Sequence, residues 1–116
     1  MVRITYDDIA DVLGSEAAER VHLLAQEAEQ AGVRFALVGG VVRDVLLRMP
    51  TTDYDFVVDG GALGLAAAGE LANAVKERYG GVVKGHAAFG TATWTPPPSF
   101  TDGDALAPDH YDFASA

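Results

Sequence analysis

Asp53 and Asp55 stand two residues apart at the head of an apolar run, Asp53-Tyr54-Asp55-Phe56-Val57-Val58. If that run is a strand, the two carboxylates share one face, ~6–7 Å apart along it. At that separation each can reach one or both of a pair of divalent cations, which in two-metal sites lie ~3.5–4 Å apart and clamp the attacking and leaving oxygens. The bland alternative is a pair of solvent-facing acids on an edge strand. Upstream, Gly39-Gly40 falls where a strand hands over to a helix. Glycine lets a phosphate approach the backbone, and free N–H groups at a helix start favour anions; an ordinary tight turn is the alternative. The pair is neither a GxGxxG nor a Walker A pattern, which argues against a Rossmann dinucleotide binder and a P-loop ATPase. Arg43, with Asp44 beside it, could reach a triphosphate, pair with a site aspartate, or simply pair with Asp44 at the surface. The whole stretch, Leu37 to Val58, points to phosphoryl or nucleotidyl transfer.

Two further residues are open on spacing alone. His86 sits at a strand connection and reads as a turn histidine or a metal ligand. Asp112 would join Asp53 and Asp55 only if its strand lies beside theirs. The 116-residue chain has no cysteine, so any metal must use carboxylate or histidine ligands, and hard ions such as Mg2+ are favoured. Its 8 basic and 17 acidic residues give a net charge of −9, a poor balance for gripping a nucleic-acid backbone unaided. A nucleotide arriving with its own metal is compatible with it. No apolar run approaches the ~20 residues that span a bilayer, and the N-terminus lacks the apolar core of a signal peptide. A soluble, cytoplasmic protein with no membrane partner is expected.

The elements that must position these residues can be read in order. Thr5 can cap a short helix through Val12, ended by Gly14, and Ser15 is a candidate N-cap for a longer helix ended by Gly32. Val21, Leu24, Ala25 and Ala28 fall on one face of that helix, which serves as a cover for a sheet. Val33–Val38 reads as a buried strand, Val41–Arg48 as a helix stopped by Pro50, and Asp53–Val58 as the second strand. Ala62–Tyr79 reads as one long helix with Ala67, Leu71, Ala74 and Val75 inward. Val82–Lys84, Thr91–Trp94 and Tyr111–Ala114 read as strands. Thr95–His110, with three consecutive prolines and no periodicity, is expected to be loop without a helix. The fold class is α+β: one domain, a mixed sheet covered by helices, because the last three strands follow one another without helices between them.

At this point a resemblance is specific. LVGGVVRDVLLRMPTTDYDFVV resembles the signature of the class II tRNA nucleotidyltransferases (CCA-adding enzymes) and bacterial poly(A) polymerases, roughly LVGGxVRDxLLGRxxxDxDFxV. Gly39, Gly40, Val42, Arg43, Asp44, Leu46, Leu47, Asp53 and Asp55 fall in register. HAAFGTAT, His86 to Thr93, is similar to the family's HxxFGTA stretch, and YDFASA, Tyr111 to Ala116, to its DFA-(T/S)-A segment. The match covers residues 34–116, the motif-bearing core; residues 1–33 agree only in being a helical cover. Arg48-Met49 departs from the usual Gly-Arg, and Thr95–His110 is longer than the usual connection.

The resemblance implies a DNA-polymerase-β-like nucleotidyltransferase palm, the N-terminal head of these enzymes. It implies that Asp53 and Asp55 bind the metals, that Asp112 is the third catalytic carboxylate, and that Gly39, Gly40 and Arg43 serve the nucleotide. The implied reaction is attack of an RNA 3′-hydroxyl on the α-phosphate of ATP or CTP, with Mg2+ as cofactor and a tRNA 3′ end as acceptor. The base-selecting neck and the RNA-binding domains are not matched, so the expectation is a head truncated at its C-terminus and incomplete without them. A small stand-alone nucleotidyltransferase with another acceptor, and a non-catalytic nucleotide-binding or interaction module, are the alternatives. An exposed last strand would also allow pairing with a second copy, hence a homodimer.

Overall fold

A computed structural model of the chain describes residues 5–49, 54–104 and 107–116. The expected caps and faces explain most of the local structure. Helix α1, Tyr6–Leu13, starts in a capping box: Asp8 N donates to Thr5 Oγ1 at 3.1 Å and Thr5 N donates to Asp8 Oδ2 at 2.8 Å. Helix α2, Ser15–Gln30, already includes Ser15; Gly14, at φ 100°, takes the cap position without a side-chain bond. Val21, Leu24 and Ala28 are buried as expected, joined by Ala17 and Ala18, while Ala25 stays at the margin.

Strand β1, Arg34–Val38, leads through Gly39 into helix α3, Gly40–Leu46, and the chain returns as strand β2, Tyr54–Asp59. The long helix expected over 62–79 is in two parts. A 3-10 segment, Gly61–Ala66, breaks at Gly64 (φ 53°, ψ −126°), and α4 proper runs Ala67–Tyr79. The alanine run hid that break because alanine favours helix everywhere while the glycine inside it does not. Strands β3, Val82–His86, and β4, Thr91–Thr95, form a hairpin, and β5, Tyr111–Ser115, closes the chain.

The segment expected to be loop contains a helix, α5, Pro98–Thr101. Proline blocks a helix interior but is tolerated in the first turn, where its missing N–H would have no partner anyway. The short turn is held by its aromatic residue. Phe100 meets Trp94 edge-on at 4.8 Å and Tyr79 at 5.1 Å between ring centroids.

The sheet is five-stranded in the order β1-β2-β5-β4-β3, mixed as expected: β2 and β5 are parallel, and every other pair is antiparallel. β5, last in sequence, is central in space. It therefore offers no free edge, and the basis for a homodimer built on that strand is lost. The edges are β1 and β3. Alternation gives the sheet two unlike faces. Tyr54, Phe56 and Val58 of β2, Tyr111 and Phe113 of β5, and Ala92 and Trp94 of β4 are buried in one core with α2 and α4. The opposite face carries, in one register row, Val38, Asp55, Asp112, Thr93 and Lys84.

Two charged residues lie inside the apolar cover. Arg20 of α2 is 5% exposed, and its Nη2 donates to Asp104 Oδ2 at 2.8 Å. Glu27 of α2 is paired with Arg78 of α4, which also donates to Gln30 Oε1 at 3.1 Å. These contacts tie α2 to the 98–104 segment and to α4, a job the hydrophobic stripe does not reveal. Among the described residues no helix is long and apolar enough to cross a membrane.

Candidate active site

The open face of the sheet is where the chemistry-bearing residues meet. Asp55 and Asp112 are register partners on adjacent parallel strands. Their backbones are therefore about 4.8 Å apart and their side chains leave the same face. The condition the sequence left open for Asp112, that its strand lie beside the strand of Asp55, is met. Both residues are half-buried. They line a groove of about 350 Å³ with Val38, Val57, Thr93 and Ala114.

Asp112 is held from two sides. Thr93 Oγ1 donates to its Oδ1 at 2.6 Å, and His110 Nε2 lies 3.3 Å from its Oδ2. Of the two partners, only His110 is legible in the sequence. His110 is two residues before Asp112, the same spacing that drew attention to Asp53 and Asp55. Thr93 faces Asp112 by the alternation of β4, but only once the β4–β5 register is known.

Gly39 is drawn to the same place. It sits at φ 78°, ψ −149°, a conformation essentially reserved for glycine. A Cβ there would stand 3.2 Å from Asp55 Oδ2. The turn thus brings backbone against the carboxylate with no side chain between. Gly40, the other glycine of the pair, is the first residue of α3; a Cβ there would be 3.4 Å from Arg43 Nη2. Arg43 lies back over its own helix start, and its Nε and Nη2 both contact Asp44 Oδ1 at 3.1 Å. Of the three arrangements open to Arg43, the structure adopts the neighbour pair, with the guanidinium side chain 70% exposed. Asp53 lies outside the described residues. His86 is exposed at the end of β3, opposite Thr91 and two register rows from Asp112.

The poly A polymerase head-domain family model matches residues 35–98, more than half of the chain. The chain belongs to the poly A polymerase head-domain family. Asp112 lies beyond the matched residues, so its place beside Asp55 rests on strand register. Over 92 residues the head is 37% identical to an A-adding tRNA nucleotidyltransferase of Halalkalibacterium halodurans, a match taking in 76% of this chain and 20% of that relative. It superposes on a Thermotoga maritima CCA-adding enzyme complexed with tRNA with a TM-score of 0.76, at 25% identity, over 98% of this chain and 24% of the other. A tRNA nucleotidyltransferase complexed with a primer tRNA and an incoming ATP analog gives 0.61 at 34% identity, over 80% and 22%. The chain spans about a fifth to a quarter of the length of these relatives. The mixed five-stranded sheet with its helices is the nucleotidyltransferase fold of the CCA-adding head.

Nucleotidyltransferases of this kind generally use a divalent metal. Asp55 and Asp112 suit one, as hard oxygen donors side by side on a groove with Gly39 leaving room against Asp55. Among the described residues no three acidic, histidine or cysteine side chains form a ready metal-binding group. Asp53, the remaining carboxylate of the expected set, is not among them.

Proposed function

We propose that this chain is the catalytic head of an RNA nucleotidyltransferase that adds AMP or CMP, from ATP or CTP, to a tRNA 3′ end. The observation that carries the reading is the in-register pair Asp55–Asp112 on the open face of a sheet whose turn glycine abuts Asp55. Nucleotide and acceptor come from the relatives: one is an A-adding tRNA nucleotidyltransferase, and one is held with a primer tRNA and an ATP analog.

In this reading Asp53, Asp55 and Asp112 hold two Mg2+ ions, and residues 34–116 form the catalytic core with 1–33 as its helical cover. When bound, the ions neutralise phosphate charge and align the reactants. The RNA 3′-hydroxyl gives its proton to water as its oxygen bonds to the α-phosphorus, the bond from that phosphorus to the bridging oxygen of the β-phosphate breaks, and pyrophosphate leaves. The protein's own part is positioning. Thr93 fixes one oxygen of Asp112, and the other lies beside His110. Gly39 and Gly40 keep the turn bare for the triphosphate, and Arg43, its side chain largely exposed, releases Asp44 to reach it. A chain of net charge −9 needs basic surface from other polypeptide to hold RNA. A cytoplasmic location is compatible with a tRNA substrate.

Calorimetry of ATP and CTP binding with Mg2+, on wild type and on Asp53→Ala/Asp55→Ala, tests this. Metal-dependent binding lost in the double variant is the expected result. Affinity unchanged in that variant would overturn the catalytic reading and leave a non-catalytic binding module.

A further inference from the structure

We propose that His110 is a direct ligand of the metal held by Asp112, giving this site a mixed oxygen–nitrogen donor set. The inference rests on the metal-binding reading above and adds a residue to it. Asp112 has two carboxylate oxygens. Oδ1 is taken by Thr93 at 2.6 Å, so Oδ2 is the oxygen left for a cation. That same oxygen is 3.3 Å from His110 Nε2. The distance is long for a charge-assisted N–H to carboxylate bond, which closes to about 2.7–2.9 Å. It is close to the separation of two neighbouring ligands on one octahedral ion: bonds of about 2.1 Å at right angles put donor atoms about 3.0 Å apart. The ring nitrogen and the carboxylate oxygen are thus already spaced to share an ion.

The placement follows from the chain. His110 is two residues before Asp112, so an extended backbone brings its side chain to the same face. Its side chain is half exposed, so a cation can reach the ring nitrogen from solvent. Tyr111, between them, is 1% exposed and anchors the backbone from the opposite face.

A nitrogen ligand changes which ions the site prefers. Carboxylate and water suit Mg2+ well; imidazole adds more to the binding of later first-row ions than to Mg2+. The site is therefore expected to favour Mn2+ and Co2+ over Mg2+ by more than carboxylates alone would give.

The test is pulsed electron paramagnetic resonance of Mn2+ bound to the chain, at a pH above the ordinary imidazole range, in wild type, His110→Gln, His86→Gln and Asp112→Asn. Expected are a nitrogen hyperfine coupling in wild type and in His86→Gln, its loss in His110→Gln, and a Mn2+ affinity in His110→Gln weaker by about tenfold. Mn2+ bound in an Asp112-dependent way but without nitrogen coupling would overturn the role of His110 and leave the metal site standing. Coupling that survives in His110→Gln would do the same. No Mn2+ bound to wild type would overturn both. Co2+ and Mg2+ titrations of the same proteins supply the second readout: the Co2+ affinity falls in His110→Gln and the Mg2+ affinity moves by less than about threefold.

Discussion

Replacing Gly39 by alanine should separate the backbone requirement of the turn from its contact with the site. Two costs are expected. The backbone at φ 78°, ψ −149° is one that an L side chain resists, at about 1–3 kcal/mol. The new Cβ would stand 3.2 Å from Asp55 Oδ2, so the carboxylate must retreat by a few tenths of an ångström. Gly32 supplies the comparison: its φ is 74°, and a Cβ there meets nothing within 4 Å. Gly32→Ala should cost only the left-handed backbone, about 1–2 kcal/mol, and leave nucleotide binding alone. Gly39→Ala should cost at least as much in urea unfolding and should weaken Mg2+-ATP binding about tenfold or more, because the displaced group is a proposed metal ligand. Repeating Gly39→Ala in an Asp55→Ala background removes the crowded oxygen. The stability cost should then shrink by a coupling of about 0.5 kcal/mol or more. A cost identical in both backgrounds, together with wild-type affinity in Gly39→Ala, would refute the claim that this turn is shaped around Asp55.

Ser115 Oγ accepts from Ala68 N and donates to Leu65 O, both at 2.9 Å, and so bridges β5 to the start of α4. Ser115→Ala should cost about 1–2 kcal/mol and speed amide exchange at Ala68. Arg48 sits at φ 56°, in the left-handed region, where the family pattern has glycine. Arg48→Gly should leave stability unchanged or raise it by about 1 kcal/mol in urea unfolding, the relief of strain being partly offset by glycine's entropy in the unfolded chain. Burial pushes Tyr54 and Tyr111 up to about 12, with the nearby Arg20 opposing the shift. Raised tyrosine values mean that the folded state holds these protons more tightly than the unfolded one, with its ordinary value near 10. Their contribution is full below about pH 10 and is lost as the pH climbs toward about 12, so alkaline unfolding should coincide with tyrosinate absorbance.

The sequence carried most of the site because its chemistry is local. A glycine pair and a DxD fall within one strand–helix–strand unit, and Gly39 does meet Asp55 as that unit folds. What escaped was everything decided by sheet order. β5 is last in sequence and central in space, because a strand's neighbours are fixed by how helices cross the sheet rather than by chain order. Asp112 could therefore be placed beside Asp55 only by resemblance, and the edge expected from the chain's end does not exist. Thr93 escaped for the same reason, being a long-range partner. Arg20 and Glu27 were hidden in a helix read by its apolar stripe; a buried charge announces itself only through its partner, and Asp104 and Arg78 are far away in sequence. The helix at Pro98–Thr101 is not legible in the sequence because proline ordinarily breaks helices, while Phe100 supplies the packing that pins a single turn.

The most direct test of the central claim is a crystal structure of the chain grown with Mn2+ and ATP, read by anomalous scattering. The expected result is a Mn2+ peak in the open-face groove within bonding distance of both Asp55 and Asp112, with phosphate oxygens in its shell. A peak bound to other residues, or nucleotide seated on the helix-covered face, would contradict it.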